Sequence, residues 1–238
     1  MSRRTLAGAI ATPEGKRRYV RTLFATIADR YDFITRALSY GQDRRWKARL
    51  VRMAAPAPGV SVLDLATGTG DIAAACAERG ALVVGLDVTR RMIQLARDKH
   101  GARVRFLVGD MLALPFPSAS FDIVTTGYGL RNVPDLTTAI GEIQRVLKPG
   151  GVILSLDFNR PSSRVVRTAY LMYLDLVGGV LGFILHRDPD TYRYIPASIR
   201  RYPGAEAVAQ LMRTLGFSRT KYHPVLGGLM AIHHGIRD

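Results

Sequence analysis

Ser61-Val62-Leu63-Asp64-Leu65-Ala66-Thr67-Gly68-Thr69-Gly70-Asp71 is the stretch whose reading decides the fold. The apolar run from Val60 to Ala66 reads as a strand of a parallel sheet, buried on both faces. Gly68 and Gly70 then turn the chain, and without a Cβ they let a ligand approach the backbone. A helix is expected from Ile72 to Arg79, with Asp71 as its N-cap. A strand, a glycine turn and a helix start form the nucleotide-binding corner of a doubly wound α/β sheet.

The spacing Gly68-x-Gly70-x-x-Ala73 fits the dinucleotide pattern, so NAD(P) is one reading of the corner. The acidic residues favour another. Asp64 stands four residues before the first glycine, and Asp71 follows the second. A pyrophosphate prefers donors and a cation there, whereas a cofactor carrying an ammonium and a sulfonium accepts carboxylates. The stretch resembles motif I of the class I S-adenosylmethionine (SAM) methyltransferases.

The 238 residues carry a net charge of +15, with basic clusters at Arg3-Arg4, Lys16-Arg17-Arg18, Arg44-Arg45, Arg90-Arg91 and Arg200-Arg201. Such a balance favours an anionic partner, either nucleic acid or acidic lipid. No zinc spacing, recognition helix or RNP-type strand accompanies it, so nucleic acid is not expected. Cys76 is the single cysteine and suits a reducing, cytoplasmic setting. No histidine pair has metal-ligand spacing with a carboxylate, so no metal is expected. Residues 169–186 are the most apolar stretch, but Asp175 and three glycines interrupt it, and it is shorter than a spanning helix. It is expected to be a lid, or a surface that meets lipid peripherally. Burial in the core or under a dimer partner is the alternative.

In chain order, residues 1–18 read as a mobile basic arm and 19–53 as a helical leader broken at Gly41. Residues 1–55 are thus expected to precede a domain spanning 56–238, with a lid at about 160–202. Later strands are expected at Ala81–Asp87, Arg103–Val108, Phe121–Thr126 and Val152–Leu156. A helix is expected to open at Pro134 and to end at Lys148-Pro149-Gly150-Gly151. Residues 204–215 form an amphipathic helix, and two short strands flank Gly227-Gly228. The fold class expected is a Rossmann-like, doubly wound sheet of seven strands with a helical N-terminal extension. Asp87, at the end of the second strand, can accept from both hydroxyls of an adenosine ribose, whether in NAD or SAM. Its alternative role is to cap the next helix.

Several blocks together resemble the ubiquinone/menaquinone biosynthesis C-methyltransferase family. They are Tyr31-Asp32…Leu38-Ser39-x-Gly41-x-x-Arg44-Arg45-Trp46, Gly129-Leu130-Arg131-Asn132-Val133, Arg145-Val146-Leu147-Lys148-Pro149-Gly150-Gly151, Tyr192-Arg193-Tyr194-Ile195-x-x-Ser198-Ile199 and Gly227-Gly228-Leu229-Met230-Ala231-x-His233-x-Gly235. The resemblance implies SAM as cofactor, held by Asp64, Ala66, Thr67, Gly68, Thr69, Gly70, Asp87, Val88, Met92, Gly109, Asp110, Met111 and Gly127. It implies as acceptor a reduced prenylated quinone, demethylmenaquinol or a ubiquinone precursor. The chain departs from the family pattern at Gln42, Gly127 and Asp157-Phe158-Asn159, which leaves another phenolic or prenylated acceptor open. A SAM-binding subunit without catalysis is a further alternative.

For such an acceptor the phenol oxygen must shed its proton, at least partly, so that a neighbouring ring carbon becomes nucleophilic. Arg131 is then the phenolate stabiliser, or else a structural ion-pair residue. Asn132 orients the ring oxygen or a water. Asp157 is either the base or the partner that holds Arg131. Tyr31, Tyr194 and His186 stand behind these. The isoprenoid tail would bring the enzyme to an acidic membrane surface.

Overall fold

The computed structural model describes residues 6–39, 41–161 and 163–238. The leader is helical from its first described residue. α1 (Leu6–Ala9) and α2 (Pro13–Ile27) lead through a single 3-10 turn to α3 (Tyr31–Leu38) and α4 (Asp43–Ala54). The expected mobile arm is therefore corrected from Leu6 onward, Met1 to Thr5 lying outside the described residues. Its order has a local cause and a tertiary one. Thr12 caps α2 by accepting from the Gly15 amide at 3.1 Å, and Pro13 opens the helix with its φ already set. Val20, Leu23 and Ile27 then bury one face of α2 together with Ile10, Ile34, Tyr192 and Tyr194.

The glycine turn links β1 (Ser61–Leu65) to α5 (Asp71–Ala77). Gly70, at φ +89°, occupies the cap position, so Asp71 is the first helical residue and not the N-cap expected of it. β2 (Leu82–Asp87), α6 (Arg90–His100), β3 (Arg105–Val108) and β4 (Phe121–Gly127) follow. α7 (Leu136–Val146) opens two residues after Pro134, because Asp135 caps it by accepting from the Thr137 and Thr138 amides. β5 (Leu147–Phe158) starts directly after α7 and runs through Gly150-Gly151. The early start comes from Leu147, which is fully buried and pairs with Phe121.

α8 (Arg164–His186) and α9 (Asp190–Arg201) follow, and α10 (Ala205–Thr214), β6 (Phe217–Val225) and β7 (Met230–Arg237) complete the chain. The seven strands lie in the order β3-β2-β1-β4-β5-β7-β6. β1 to β5 are parallel and β7 is antiparallel to both neighbours. β7 runs on to Arg237, with Ile236 paired on both sides, to Val152 and to Ser218. One apolar cluster packs α4, α5 and α6 on one face of the sheet, and a second packs α7 and α10 on the other. The order reverses at β1, between β2 and β4, so a crevice opens beyond their carboxyl ends.

α8 spans 23 residues with mean hydropathy 1.7 over its most apolar window, so length and composition alone would let it cross a bilayer. That corrects the expectation of a stretch too short to span. Here it lies along α9. Gly178 and Gly182 sit so close that a Cβ would stand 3.1 Å from the Tyr192 carbonyl and 2.5 Å from that of Asp188. The opposite face stays uncovered, with Leu176 70% and Ile184 67% exposed.

Candidate active site

The turn after β1 places the first set of groups. Asp64 is buried and accepts from the Thr67 hydroxyl at 2.6 Å and the Thr125 hydroxyl at 2.8 Å. Burial pushes its carboxyl up to about 6, and the two hydroxyls oppose that shift. Ala66 adopts φ +49°, a left-handed conformation strained for a residue with a Cβ. Asp87 closes the turn from β2: its Oδ2 accepts from the Gly68 amide at 3.0 Å and its Oδ1 from the Thr89 amide at 2.8 Å.

A cleft opens over this turn. Ala66, Gly68, Asp87, Val88, Met92, Gly109, Asp110, Met111 and Gly127 all line it, with Asn132. The backbone is drawn in tightly, since a Cβ on Gly109 would stand 2.7 Å from Leu86 and one on Gly127 2.7 Å from Ile72. α2 roofs the cleft with Arg17, Val20, Arg21 and Phe24. Arg17 pairs with Asp110 at 2.6 Å across the mouth. Lys16 fastens the roof from behind, donating to the carbonyls of Arg131 at 3.0 Å and Val133 at 2.6 Å. Burial lowers its ammonium to about 8, helped by the nearby Arg131 and Arg201 charges. Thr67, Thr69, Asp64 and Lys47 lie around a smaller cavity on the α4 side of the same turn. Gly70 borders neither, and its place is structural: a Cβ there would stand 2.9 Å from the Phe106 ring.

A larger cavity, of about 640 Å³, lies between the leader, the end of β5 and the helices α8 and α9. Its walls are mostly apolar and aromatic, including Leu23, Ile27, Phe158, Val165, Tyr170 and Met230. Phe24, Tyr31 and Tyr128 face both this cavity and the cleft, so the two spaces meet at these rings. Among the described residues lining it, Arg131 is the only charged side chain. Its Nη1 donates to Ser198 Oγ at 2.7 Å and to Asn132 Oδ1 at 3.2 Å. Its Nε lies 3.1 Å from Asp157 Oδ1, although the N–H is not aimed at that oxygen. The guanidinium also stacks over the Phe158 ring at 4.9 Å. Asp157 is fully buried, borders neither space, and accepts from the amides of Arg131 and Phe158. Burial raises its carboxyl, and Arg131 with the two amides counters the rise. Burial likewise raises the Tyr31 and Tyr128 phenols, and the Tyr128 hydroxyl donates to Asp43 Oδ1 at 2.6 Å.

A profile of the ubiE/COQ5 methyltransferase family matches residues 12–237. The chain belongs to that family. It is 43% identical over 220 residues to a demethylmenaquinone methyltransferase of Thermus thermophilus, covering 90% of this chain and all of the relative. It is 37% identical over 227 residues to a ubiquinone/menaquinone biosynthesis C-methyltransferase of Shewanella frigidimarina, covering 92% and 90%. A SAM-dependent methyltransferase structure from Thermotoga maritima superposes with a TM-score of 0.68 at 20% identity, over 92% of this chain and 100% of that one, which confirms the fold.

This ubiE/COQ5-family protein is thus a SAM-dependent methyltransferase. The cleft fits that cofactor: Asp87 offers two carboxylate oxygens, Gly68 leaves room beside the turn, and the carboxylates of Asp64, Asp71 and Asp87 outnumber the cations around it. The structure places Arg131 in the wall of the large cavity and Asn132 in the wall of the cleft, joined by their hydrogen bond, and leaves Asp157 in neither wall. Sequence reasoning missed Phe24, and it reached Tyr128 only as part of the loop after β4. Tyr128 lies one residue past Gly127, but it faces both spaces only through its left-handed φ of +61°, which no pattern announces. His186 is occupied by the Tyr192 hydroxyl at 2.8 Å, and buried His233 faces the Ala205 carbonyl at 2.9 Å.

Proposed function

We propose that this methyltransferase methylates a ring carbon of a reduced prenylated quinone in respiratory quinone biosynthesis, with demethylmenaquinol as the first acceptor to test and the ubiquinone precursor as the second. The observation that carries the reading is the large apolar cavity that meets the cofactor cleft and holds one buried guanidinium. Its volume of about 640 Å³ lies within the range of small-molecule sites, about 300–1,000 Å³. The names of the relatives from Thermus thermophilus and Shewanella frigidimarina support the same acceptor class.

On this reading Asp87 receives the ribose hydroxyls and Gly109, Asp110 and Met111 take the adenine, with Val88 and Met92 against its faces. Ala66, Gly68 and Gly127 line the path toward the acceptor, and Asp64, Thr67, Thr69 and Gly70 hold the turn in shape. The cofactor supplies a methyl carbon made electrophilic by its sulfonium and departs as a neutral thioether. Arg131 stabilises the acceptor oxygen as a phenolate, in a mostly apolar cavity where a charge counts for more than in bulk water. Asp157 and Ser198 hold that guanidinium, and Asn132 orients the ring oxygen. Electron density from the oxygen reaches the adjacent ring carbon, which forms the new C–C bond. That carbon then loses its proton and the ring regains aromaticity. No carboxylate, histidine or lysine is among the described residues lining the cavity, so both protons pass to water.

The uncovered face of α8 serves as the docking surface on an acidic membrane at its cytoplasmic side, where the tail of the acceptor resides. Exposed apolar side chains run along it, and Arg160, Arg164 and Arg187 stand at its ends. The test of the reaction is labelled-methyl transfer from SAM to reduced demethylmenaquinone and to the reduced ubiquinone precursor, each beside its oxidised form. Transfer to a reduced form only, lost in Arg131→Ala with SAM binding retained, is the expected result. No transfer to either, with SAM still bound, would move the acceptor outside the quinones.

A further inference from the structure

The smaller cavity at the glycine turn carries a group that the functional reading leaves unused. It shares Tyr31, Ala66, Gly68, Gly127 and Tyr128 with the cofactor cleft, so the two form one envelope wrapped around the turn. A cofactor with its adenosine over Asp87 and its methyl toward the acceptor cavity has one part left to place. That part is a zwitterion, an ammonium beside a carboxylate. The small cavity is lined by carboxylates, Asp64 and Asp71, and by one cation, Lys47. Among the described residues the main cleft adds only Arg17 and Arg21 as cations. Both come from α2, on the roof, and Arg17 is bound to Asp110.

Lys47 is held in place from two sides. Its ammonium lies 2.7 Å from Asp43 Oδ2 and 2.9 Å from Asp71 Oδ2, with the side chain 14% exposed. Asp43 is fixed in turn by the Tyr128 hydroxyl at 2.6 Å. These partners keep the ammonium charged, raising its pKa despite burial. An ammonium has three N–H donors, and two acceptors account for two of them.

We propose that Lys47 binds the α-carboxylate of the methyl donor with its third N–H, making the leader helix α4 part of the cofactor site. The proposal rests on the cofactor's place around the turn and not on the identity of the acceptor. The Asp43–Lys47–Asp71 arrangement then has a ligand-facing purpose beyond fastening α4 to the turn.

The test compares SAM with its decarboxylated form, which keeps the ammonium and the sulfonium, by calorimetric titration of the full-length protein. The wild type is expected to bind SAM about ten- to a hundredfold more tightly than the decarboxylated form, the range of one charge-assisted hydrogen bond. In Lys47→Met that ratio is expected to fall to near one, with affinity for the decarboxylated form little changed. Lys47→Arg is expected to keep most of the ratio. An equal loss for both ligands in Lys47→Met would make the residue structural and overturn the proposal. The wild type alone also decides it: no preference for the carboxylate-bearing ligand would overturn it without any variant. Failure of the wild type to bind either ligand would instead refute the placement of the cofactor itself.

Discussion

Asp64 shows how one residue trades stability for binding. Its carboxyl is buried, and its folded value of about 6 stands above that of an unfolded chain, about 3.9. A raised carboxyl favours folding in its protonated form. Its contribution is therefore fully present below about pH 4 and lost as pH rises through about 6. Asp64→Asn removes the buried charge and keeps partners for both threonine hydroxyls. At pH 7.5 it is expected to raise Tm by a few degrees and to weaken SAM binding, and the Tm gain should shrink as pH falls from about 6 to about 4. Thermal melts over that pH range check the sign; a gain that grows toward acid would contradict it. The sequence pointed to Asp64 because the Asp-x-x-x-Gly-x-Gly spacing is local. Its burial by Thr125, sixty-one residues on, is tertiary and could not be read.

At the scale of elements, the strands and helices of the sheet domain were legible because each carries its own periodicity and punctuation. The leader's docking was not. Lys16-Arg17-Arg18 reads as a solvated basic run, yet Lys16 and Arg17 are tied to the carbonyl of Val133 and the carboxylate of Asp110 by partners more than ninety residues away. The junction of α8 and α9 was half legible: the glycines were visible, and their reason was not. Gly182→Ala would place a Cβ 2.5 Å from the Asp188 carbonyl, and backbone must move to admit it. We expect a loss of about 1–3 kcal/mol in unfolding free energy, with a raised KM for the acceptor whose cavity α8 and α9 line. Gly141→Ala is the control. Nothing lies within 4 Å of a Cβ there, and a helix-interior alanine gains about 0.5–1 kcal/mol. Denaturant titration of the pair measures both signs.

For the whole molecule, charge and shape make one prediction together. A chain of net +15 with an uncovered apolar stripe on α8 is expected to sediment with vesicles containing acidic lipid, less so as salt rises. Leu176→Glu should weaken that binding while changing the unfolding free energy by no more than about 0.5 kcal/mol, since the side chain is 70% exposed. Concentration-dependent dimers that Leu176→Glu disrupts, without vesicle binding, would assign the stripe to a second copy. The overall charge was plain in the sequence, but which arginines share a face with the stripe depends on packing. The shared rings at the junction carry a last consequence. Phe24 and Tyr31 stand in the walls of both the cleft and the cavity. A ligand on either side narrows the freedom of the same two side chains, so the second ligand meets a wall already ordered. Donor and acceptor should therefore bind cooperatively, and by linkage each must tighten the other by the same factor.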